Sequence, residues 1–230
     1  MSNPIDLSIV LLAKNEAENL KVLIPQIQAI IKQSGLSYEI LVVEASFNEA
    51  TKQVCDKHNL HFMIQNAPGF GVALADGIHA SRGKRILTMD ADLQHDPNTI
   101  PKMLMVDADL VIGSRWGGNQ EIQWSIPRQI ISLALNFIFS KSLGISIKDM
   151  SSNFRLYRRE VFQRLHIEGK NYDALQEVLI KCVFNRHSVV EVSMSFRRRV
   201  VGTSNVSIPR FFTSYAKTYL KALRLKMLSI

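Results

Sequence analysis

This 230-residue sequence has few cysteines, no long apolar run and no acidic residues near its end. Each absence argues against a class of protein. The two cysteines, Cys55 and Cys182, lie far apart in segments with helical periodicity. We therefore expect buried thiols, since neither a disulfide framework nor a metal-binding pair fits that spacing. No apolar run approaches the roughly 20 residues that span a bilayer, and the N-terminal MSNPIDLS lacks a basic, apolar leader. These absences predict a cytoplasmic protein.

Acidic residues are missing from the end of the chain. The formal net charge is +8, and from Val192 onward every charged side chain is basic: Arg197, Arg198, Arg199, Arg210, Lys217, Lys221, Arg224 and Lys226. A basic end indicates an anionic partner, either a membrane surface or a nucleic acid. Nucleic acid is disfavoured because these residues have no stacking platform or known binding motif.

Strands and helices alternate along the first half of the chain. Apolar, partly β-branched runs predict strands at 6–13, 38–45, 60–65, 85–89 and 108–113, with helices between them, including 48–58 and 71–82. This order predicts one α/β domain with a mostly parallel sheet covered by helices on both faces. In such sheets ligands bind beyond the carboxyl ends of the strands.

An acidic cluster stands at one of these strand ends. In RILTMDADLQHD, Asp90, Asp92 and Gln94 present oxygens at alternate positions, so strand geometry would place all three on one side. Two carboxylates and an amide oxygen suit a hard divalent cation such as Mg²⁺ or Mn²⁺. The alternative is a solvated acidic loop in which Asp96 caps the next helix. The first predicted strand also ends in polar groups, Asn15 and Glu16, which favours a binding site at this edge.

The sequence resembles the family-2 glycosyltransferases of GT-A fold, in particular the dolichol-phosphate mannose synthases and other polyprenyl-phosphate sugar transferases. The resemblance covers roughly residues 6–205. Its motifs are LLAKNEAENL, GFGVALADGIHASRG, MDADLQHDP, DADLVIGSRW, RQIISLALN, FRLYRRE and SFRRRVVGTSN. Their order along the chain carries the assignment, since a single DxD motif would be weak.

The resemblance implies a Rossmann-like GT-A domain over residues 1–206 that binds a nucleotide sugar, GDP- or UDP-linked. It places Mg²⁺ or Mn²⁺ on Asp90, Asp92 and Gln94. The implied donor-binding residues are Asn15, Glu16, Glu44, Gly69, Gly71, Asp90, Ala91, Gln176 and Glu177. For Gln176 and Glu177, an exposed helix face is the alternative interpretation.

A polar stripe marks a second site. Arg128, Ser132 and Asn136 are spaced four apart in an apolar segment, so they share one face of a helix. In the resembled family these positions surround a polyprenyl phosphate, together with Arg115, Arg199 and Ser204. The implied catalytic residues are Asp92, Arg115, Arg128, Ser132 and Arg199.

A phosphate acceptor needs little help from an acid or a base. The second pKa of a phosphate monoester is about 6, so the acceptor is already an ionised nucleophile at cytosolic pH. His95 is therefore expected to be structural, or to support the residues that bind the ligand, and to have no catalytic role. Asp149 and Arg155 either line the cleft or form a buried ion pair.

The sequence departs from the family in the donor pocket. Glu44 and Ala45 replace the usual paired aspartates, and Asn205 replaces a lysine. The leading hypothesis is a metal-dependent, inverting transfer of a hexose, of mannose or glucose type, to polyprenyl phosphate. One alternative is transfer to a polysaccharide or glycolipid hydroxyl, which needs Asp149 or Glu177 as a base. The other is a degenerate transferase that serves as a membrane-bound binding subunit.

The last 24 residues, 207–230, are predicted to form an amphipathic basic helix. Phe211, Phe212, Tyr215, Tyr219 and Leu223 share one side, and most of the bases lie opposite. Such a helix either lies in the interface of a membrane, giving peripheral association with the cytosolic face, or packs on the core as an ordinary surface helix. A membrane-anchored subunit is a further possible partner.

Overall fold

The fold is described from a computed structural model, which defines residues 4–116, 136–137, 140–142, 144–163, 165–196, 218–220 and 223. The strands are β1 (Leu7–Ala13), β2 (Tyr38–Glu44), β3 (His61–Ile64), β4 (Arg85–Asp90), β5 (Leu110–Ser114), β6 (Arg155–Arg158) and β7 (Val189–Ser193). The helices are α1 (Ala17–Ser34), α2 (Glu49–Lys57), α3 (Phe70–Ala80), α4 (Ile100–Leu104) and α5 (Asp173–Phe184). Short 3₁₀ turns cover Pro97–Thr99 and Arg159–Gln163.

The seven strands form one sheet in the order β3-β2-β1-β4-β6-β5-β7. Pairing is parallel between β3, β2, β1 and β4 and between β5 and β7, whereas β6 runs antiparallel to both of its neighbours. The prediction of a mostly parallel α/β sheet is confirmed. The five predicted strands are also confirmed, with boundaries within two residues of the observed ones.

Alternate residues of the strands face opposite helix layers. Leu7, Ile9 and Leu11 of β1 pack in a core cluster with side chains of α1, α2 and α4. Val10 and Leu12, from the same strand, pack with side chains of α3 and α5. Because side chains alternate along a strand, helices cover both faces, as predicted.

Turn chemistry marks the end of α1 and the start of α2. Gly35 follows α1 with a φ of 69°, a left-handed conformation that glycine adopts without steric cost. Asn48 caps α2 by accepting the backbone N–H of Thr51 on its side-chain oxygen at 2.9 Å. Both cysteines are buried free thiols, as expected, and burial raises the pKa of Cys55 to about 11.

The C-terminal segment is described only at residues 218–220 and 223. Tyr219 and Leu223 pack against the core cluster that contains Leu110, Ile112 and Tyr157, while Leu220 is 60% exposed. For Tyr219 and Leu223 the structure therefore agrees with the surface-helix interpretation, in which the apolar side faces the core. Phe211, Phe212 and Tyr215 lie outside the described residues.

Within the described residues, no helix has the length and apolarity required to cross a bilayer.

Candidate active site at the carboxyl edge of the sheet

The carboxyl ends of β1, β2, β4 and β5 meet at one edge of the sheet. Ala13 pairs with Glu44, and Leu12 pairs with Asp90, so the first three of these strands end at the same level. Because β6 is antiparallel, this edge also receives its start, and with it the segment 149–153. The candidate site is built from these strand ends and that segment.

The acidic cluster is a turn and not a continued strand. β4 ends at Asp90, and Leu93 has a φ of 62°, which is incompatible with extended backbone. The predicted strand alternation therefore ends at Asp90 and does not extend to Gln94. Asp92 is only 6% exposed and accepts the backbone N–H of Gln94 at 3.1 Å, so the solvated-loop interpretation is wrong for Asp92.

The residues that follow Asp92 hold the turn in place. Asp96 caps the 3₁₀ turn by accepting the N–H of Asn98 at 3.1 Å, which is the cap that the solvated-loop alternative contained. His95 is buried, and its Nδ1 lies 3.4 Å from the backbone nitrogen of Asp90, which donates to it. Its ring stacks on Phe154 at 5.4 Å. Burial lowers the pKa of His95 to about 4, so the ring is neutral and structural, in agreement with its expected role.

A buried ion pair lies at the end of β5. The guanidinium of Arg115 donates from Nε to Oδ2 of Asp149 at 2.7 Å and from Nη2 to Oδ1 at 2.5 Å. Asp149 is completely buried. Burial alone would raise its pKa, but the charge and hydrogen bonds of Arg115 outweigh burial and lower the pKa below the ordinary value.

Asp149 and Arg155 do not pair with each other. Arg155 is completely buried and donates to the carbonyl oxygens of Ser152, Leu175 and Met150 at 2.7, 2.7 and 2.8 Å. The buried ion pair that the sequence left open exists, but its cation is Arg115. Arg155 instead fixes the 149–153 segment from inside.

One member of the expected acceptor stripe is described. Asn136 is 4% exposed, and its Nδ2 has no hydrogen-bond partner in the described part of the chain. Its neighbour Phe137 is 63% exposed. Arg128, Ser132, Arg199 and Ser204 lie outside the described residues.

Glu44 is completely buried at the end of β2. Its Oε1 accepts the N–H groups of Asn15 at 3.0 Å and Ala45 at 3.2 Å, and its Oε2 accepts the hydroxyl of Thr51 at 2.8 Å. Asn15 has a φ of 60°, and its Oδ1 accepts from Asn48 at 2.8 Å. We therefore propose that Glu44 shapes the donor pocket indirectly, by holding the turn at Asn15.

Glu16 and Ala91 also lie at this edge. Glu16 precedes α1, and its Oε2 accepts the side-chain amide of Asn19 at 2.5 Å. Ala91 is buried directly after β4, and its N–H donates to the carbonyl of Leu12 at 3.0 Å. Their predicted roles in binding a donor remain predictions.

The glycines before α3 accommodate a neighbouring loop. A Cβ at Gly69 would lie 2.1 Å from the carbonyl oxygen of Lys170, and one at Gly71 would lie 2.0 Å from that of Gly169. Gly69 also has a φ of 141°. Close backbone packing thus explains both glycines, and their predicted donor contact remains a prediction.

Helix α5 turns its predicted donor residues inward. Gln176 is completely buried. In the amide orientation that satisfies both ends of its side chain, the nitrogen donates to the carbonyl of Tyr172 at 3.0 Å. Glu177 is 7% exposed, accepts the N–H of Gly169 at 2.7 Å and pairs with Lys181 at 2.5 Å. The exposed-helix interpretation is wrong for both residues.

Asn153 contacts the acidic turn, and the sequence did not predict this contact. Its Nδ2 donates to Oδ1 of Asp90 at 2.9 Å. It directly precedes the motif FRLYRRE, but nothing local in the sequence indicates the contact. Only the antiparallel direction of β6 brings Asn153 to the acidic turn.

The oxygen ligands of the acidic turn fit a cation whose remaining ligands come from a substrate. In the part of the chain described by the structure, no group of three or more His, Cys, Asp or Glu side chains could hold a metal ion. Asp90, Asp92 and Gln94 offer only two carboxylates and one amide oxygen. Mg²⁺ and similar ions are commonly held by one or two carboxylates together with substrate phosphates, and this is the arrangement that these residues fit.

Several known proteins resemble this chain in sequence. The model of glycosyl transferase family 2 matches residues 8–165. A dolichol-phosphate mannosyltransferase of Pyrococcus furiosus is 31% identical over 86% of this chain. A polyprenol monophosphomannose synthase of Mycolicibacterium smegmatis is 31% identical over 84%. The matches span 58% and 78% of those two relatives, respectively.

Solved structures share the fold. A glucosyl-3-phosphoglycerate synthase from Mycobacterium tuberculosis, in complex with Mn²⁺, UDP and phosphoglyceric acid, has a TM-score of 0.74 at 19% identity, over 95% of this chain and 78% of its own. A mannosyl-3-phosphoglycerate synthase from Rubrobacter xylanophilus also has a TM-score of 0.74 at 19% identity, over 96% and 75%. At that identity the likeness establishes the fold alone.

Proposed function

Because the chain belongs to glycosyl transferase family 2, we propose that it transfers a hexose from a GDP- or UDP-linked sugar to a polyprenyl phosphate, with inversion and with Mg²⁺ or Mn²⁺. The names of the two curated relatives support this acceptor and a mannose-type sugar. The Mn²⁺ and UDP in a structural neighbour support a metal-dependent nucleotide-sugar donor.

One observation carries the choice of acceptor: the two carboxylates considered as bases are both engaged. Asp149 is fully buried in its pair with Arg115, and Glu177 binds backbone N–H groups and Lys181. A hydroxyl acceptor needs a base to remove its proton, whereas a phosphate monoester with a second pKa of about 6 is already ionised. The engaged carboxylates therefore favour a phosphate acceptor.

On the donor side, Asp90, Asp92 and Gln94 would hold the cation. When bound, the cation neutralises negative charge that develops on the departing nucleoside diphosphate. His95 and Asn153 hold the turn and Asp90 in place through the contacts described above. Asp92 is kept nearly dry, which strengthens its interaction with a cation.

On the acceptor side, we propose that Asn136 donates to the lipid phosphate. Its buried amide nitrogen has no partner within the described residues, and an unsatisfied buried donor costs about 1 to 3 kcal/mol. A phosphate oxygen would remove that cost. Arg115, Arg128, Ser132, Arg199 and Ser204 complete the proposed acceptor set, with Arg115 oriented by Asp149.

A polyprenyl acceptor requires contact with a membrane, so we propose peripheral association with the cytosolic face. The run of basic residues after Val192 supports attraction to anionic lipid. The exposed ring of Phe137, beside Asn136, supports an apolar contact near the acceptor site. A membrane-anchored partner subunit is an additional proposal on the same grounds.

The test is a matrix of donors and acceptors. UDP-glucose and GDP-mannose are incubated with Mn²⁺ and either polyprenyl phosphate, the matching polyprenol or 3-phosphoglycerate, and both nucleoside diphosphate and glycosylated product are measured. We expect glycosylated product with polyprenyl phosphate and with neither of the other two acceptors. Product with the polyprenol would overturn the phosphate assignment. Nucleotide binding without turnover would support the degenerate subunit, for which Ala45 and Asn205 are the arguments.

A further inference from the structure

Asn153 lies opposite Asp90 across the β4–β6 pairing. The paired register ends at Thr88 and Arg155, so continuing the antiparallel register by two residues brings Asp90 to Asn153. The hydroxyl of Thr88 donates to the backbone carbonyl of Asn153 at 2.8 Å. The backbone of Asn153 is thereby tied to β4 at the point where the acidic turn begins.

The amide of Asn153 is used at one end only. Its nitrogen donates to Oδ1 of Asp90 at 2.9 Å. Its Oδ1 is buried and has no hydrogen-bond partner among the residues that the structure describes. Asn153 as a whole is 2% exposed. Since the oxygen and the nitrogen share one planar carbon, the unpaired acceptor lies beside the Asp90 carboxylate.

The missing partner must carry a polar hydrogen. An unpaired buried acceptor is unfavourable, and the diphosphate of a nucleotide sugar cannot relieve it, because its ionised oxygens are acceptors themselves. The hydroxyl groups of the donor, on the hexose or on the ribose, are donors of the required kind.

We infer that Asn153 is a further donor-site residue: its nitrogen orients Asp90, and its oxygen accepts a hydroxyl of the bound nucleotide sugar. This inference rests on the proposed function. It differs from a purely structural role, in which the amide would only stabilise the start of β6.

The test separates metal-dependent from metal-independent binding. Calorimetry would measure the affinity of wild type and Asn153→Ala for UDP, GDP, UDP-glucose and GDP-mannose, each with Mn²⁺ and with EDTA. Residues that orient metal ligands typically change metal affinity by about 10- to 100-fold when mutated. We expect Asn153→Ala to lose at least about 10-fold in affinity with Mn²⁺, and to lose less in EDTA, where only the hydrogen bond to the ligand hydroxyl is missing.

Two further variants keep the test decisive. Asn153→Ser is a smaller change for use if the alanine variant does not fold, and its short hydroxyl cannot reach both partners, so the same loss is expected. Ser152→Ala is the control: Ser152 is equally buried, and its hydroxyl donates to the carbonyl of Gly113 at 2.7 Å. It should lower the melting temperature without changing the Mn²⁺ dependence.

Each outcome bears on the assignment. A loss that is larger with Mn²⁺ than in EDTA supports it. The loss that remains in EDTA locates the hydroxyl: a loss for the sugar nucleotides alone assigns it to the hexose, an equal loss for diphosphates and sugar nucleotides assigns it to the ribose, and no loss overturns the hydroxyl contact. Unchanged affinity, or equal losses with Mn²⁺ and with EDTA, would overturn it. If wild type shows no Mn²⁺-dependent nucleotide binding, the proposed function itself fails, a result visible before any variant is compared.

Discussion

Arg115 and Asp149 form a bidentate ion pair in which the carboxylate is completely buried and the arginine side chain is 8% exposed. The backbone N–H of Arg115 also donates to Oδ2 of Asp149, at 2.9 Å. One carboxylate thus fixes both the backbone and the side chain of an arginine proposed to face the acceptor. The pair orients Arg115 and at the same time engages the carboxylate that a hydroxyl acceptor would need.

Asp149→Asn should be strongly destabilising, because it leaves the Arg115 charge buried without its counter-ion. Breaking one partner of a buried pair costs about 3 to 5 kcal/mol, measurable as the free energy of unfolding in urea. The matched control is Asp107→Asn, which breaks the exposed pair with Arg158 and should change stability little. Similar losses in the free energy of unfolding would contradict the prediction that the buried pair contributes more to stability than the exposed pair.

Asp92→Asn should abolish Mn²⁺-dependent nucleotide binding without unfolding the protein. The amide keeps the shape of the side chain but removes the negative charge that a hard cation requires. Calorimetry with UDP and GDP measures the loss, and a thermal melt checks the fold. Asp96→Asn is the control, since asparagine also caps well and Asp96 caps the following turn. Retained Mn²⁺-dependent affinity in Asp92→Asn would remove Asp92 from the cation site.

Asn136→Ala should raise the KM for polyprenyl phosphate and leave the KM for the nucleotide sugar unchanged. A hydrogen bond to a charged group contributes about 1.5 to 3 kcal/mol, so a rise of about 10-fold or more is expected. Stability should hardly fall, because Nδ2 of Asn136 has no partner to lose within the described residues. Arg128→Ala should behave in the same way. A rise in donor KM instead would assign these residues to the other half of the site.

Tyr219→Ala and Leu223→Ala should each lower the melting temperature, because both side chains pack against the core cluster around Leu110 and Tyr157. Leu220→Ala is the matched control, since Leu220 is 60% exposed. Sedimentation with anionic liposomes would be measured for all three. If Tyr219→Ala and Leu223→Ala melt like wild type but no longer sediment with liposomes, these two side chains face lipid and the packing assignment is wrong.

Acid should destabilise the protein partly through Glu39, which lies far from the active site. Burial alone would raise its pKa, but the hydrogen bonds from Ser8 and Arg82 outweigh burial and lower it. A depressed carboxyl pKa contributes stability that is present above the unfolded value of about 4.3 and is lost as pH falls through the folded value. Glu39→Gln should therefore be less stable near pH 7 and less sensitive to pH below about 4. Parallel stability curves for the two proteins would contradict this.

Local patterns in the sequence were sufficient for the five strands of the first half of the chain, for the helices between them and for the position of the acidic cluster. The apolar runs of β1, β2 and β4 and the Gly35 stop after α1 are signals between residues close in the chain, and the structure reproduces them. MDADLQHDP identified the acidic cluster because its oxygens are neighbours in sequence. The strand geometry inferred for it failed because Leu93 takes a positive φ, which the residue type does not favour.

The tertiary structure alone decided which residues meet at the site. The antiparallel direction of β6 brings Asn153 to Asp90, across 63 residues of chain, and Asp149 to Arg115. Burial of Glu44 and Glu177 likewise depends on Thr51, Lys181 and distant backbone N–H groups. Periodicity and spacing report which face of its own element a residue occupies, whereas these contacts depend on how separate elements pack, and that is determined by the sheet order and the core as a whole.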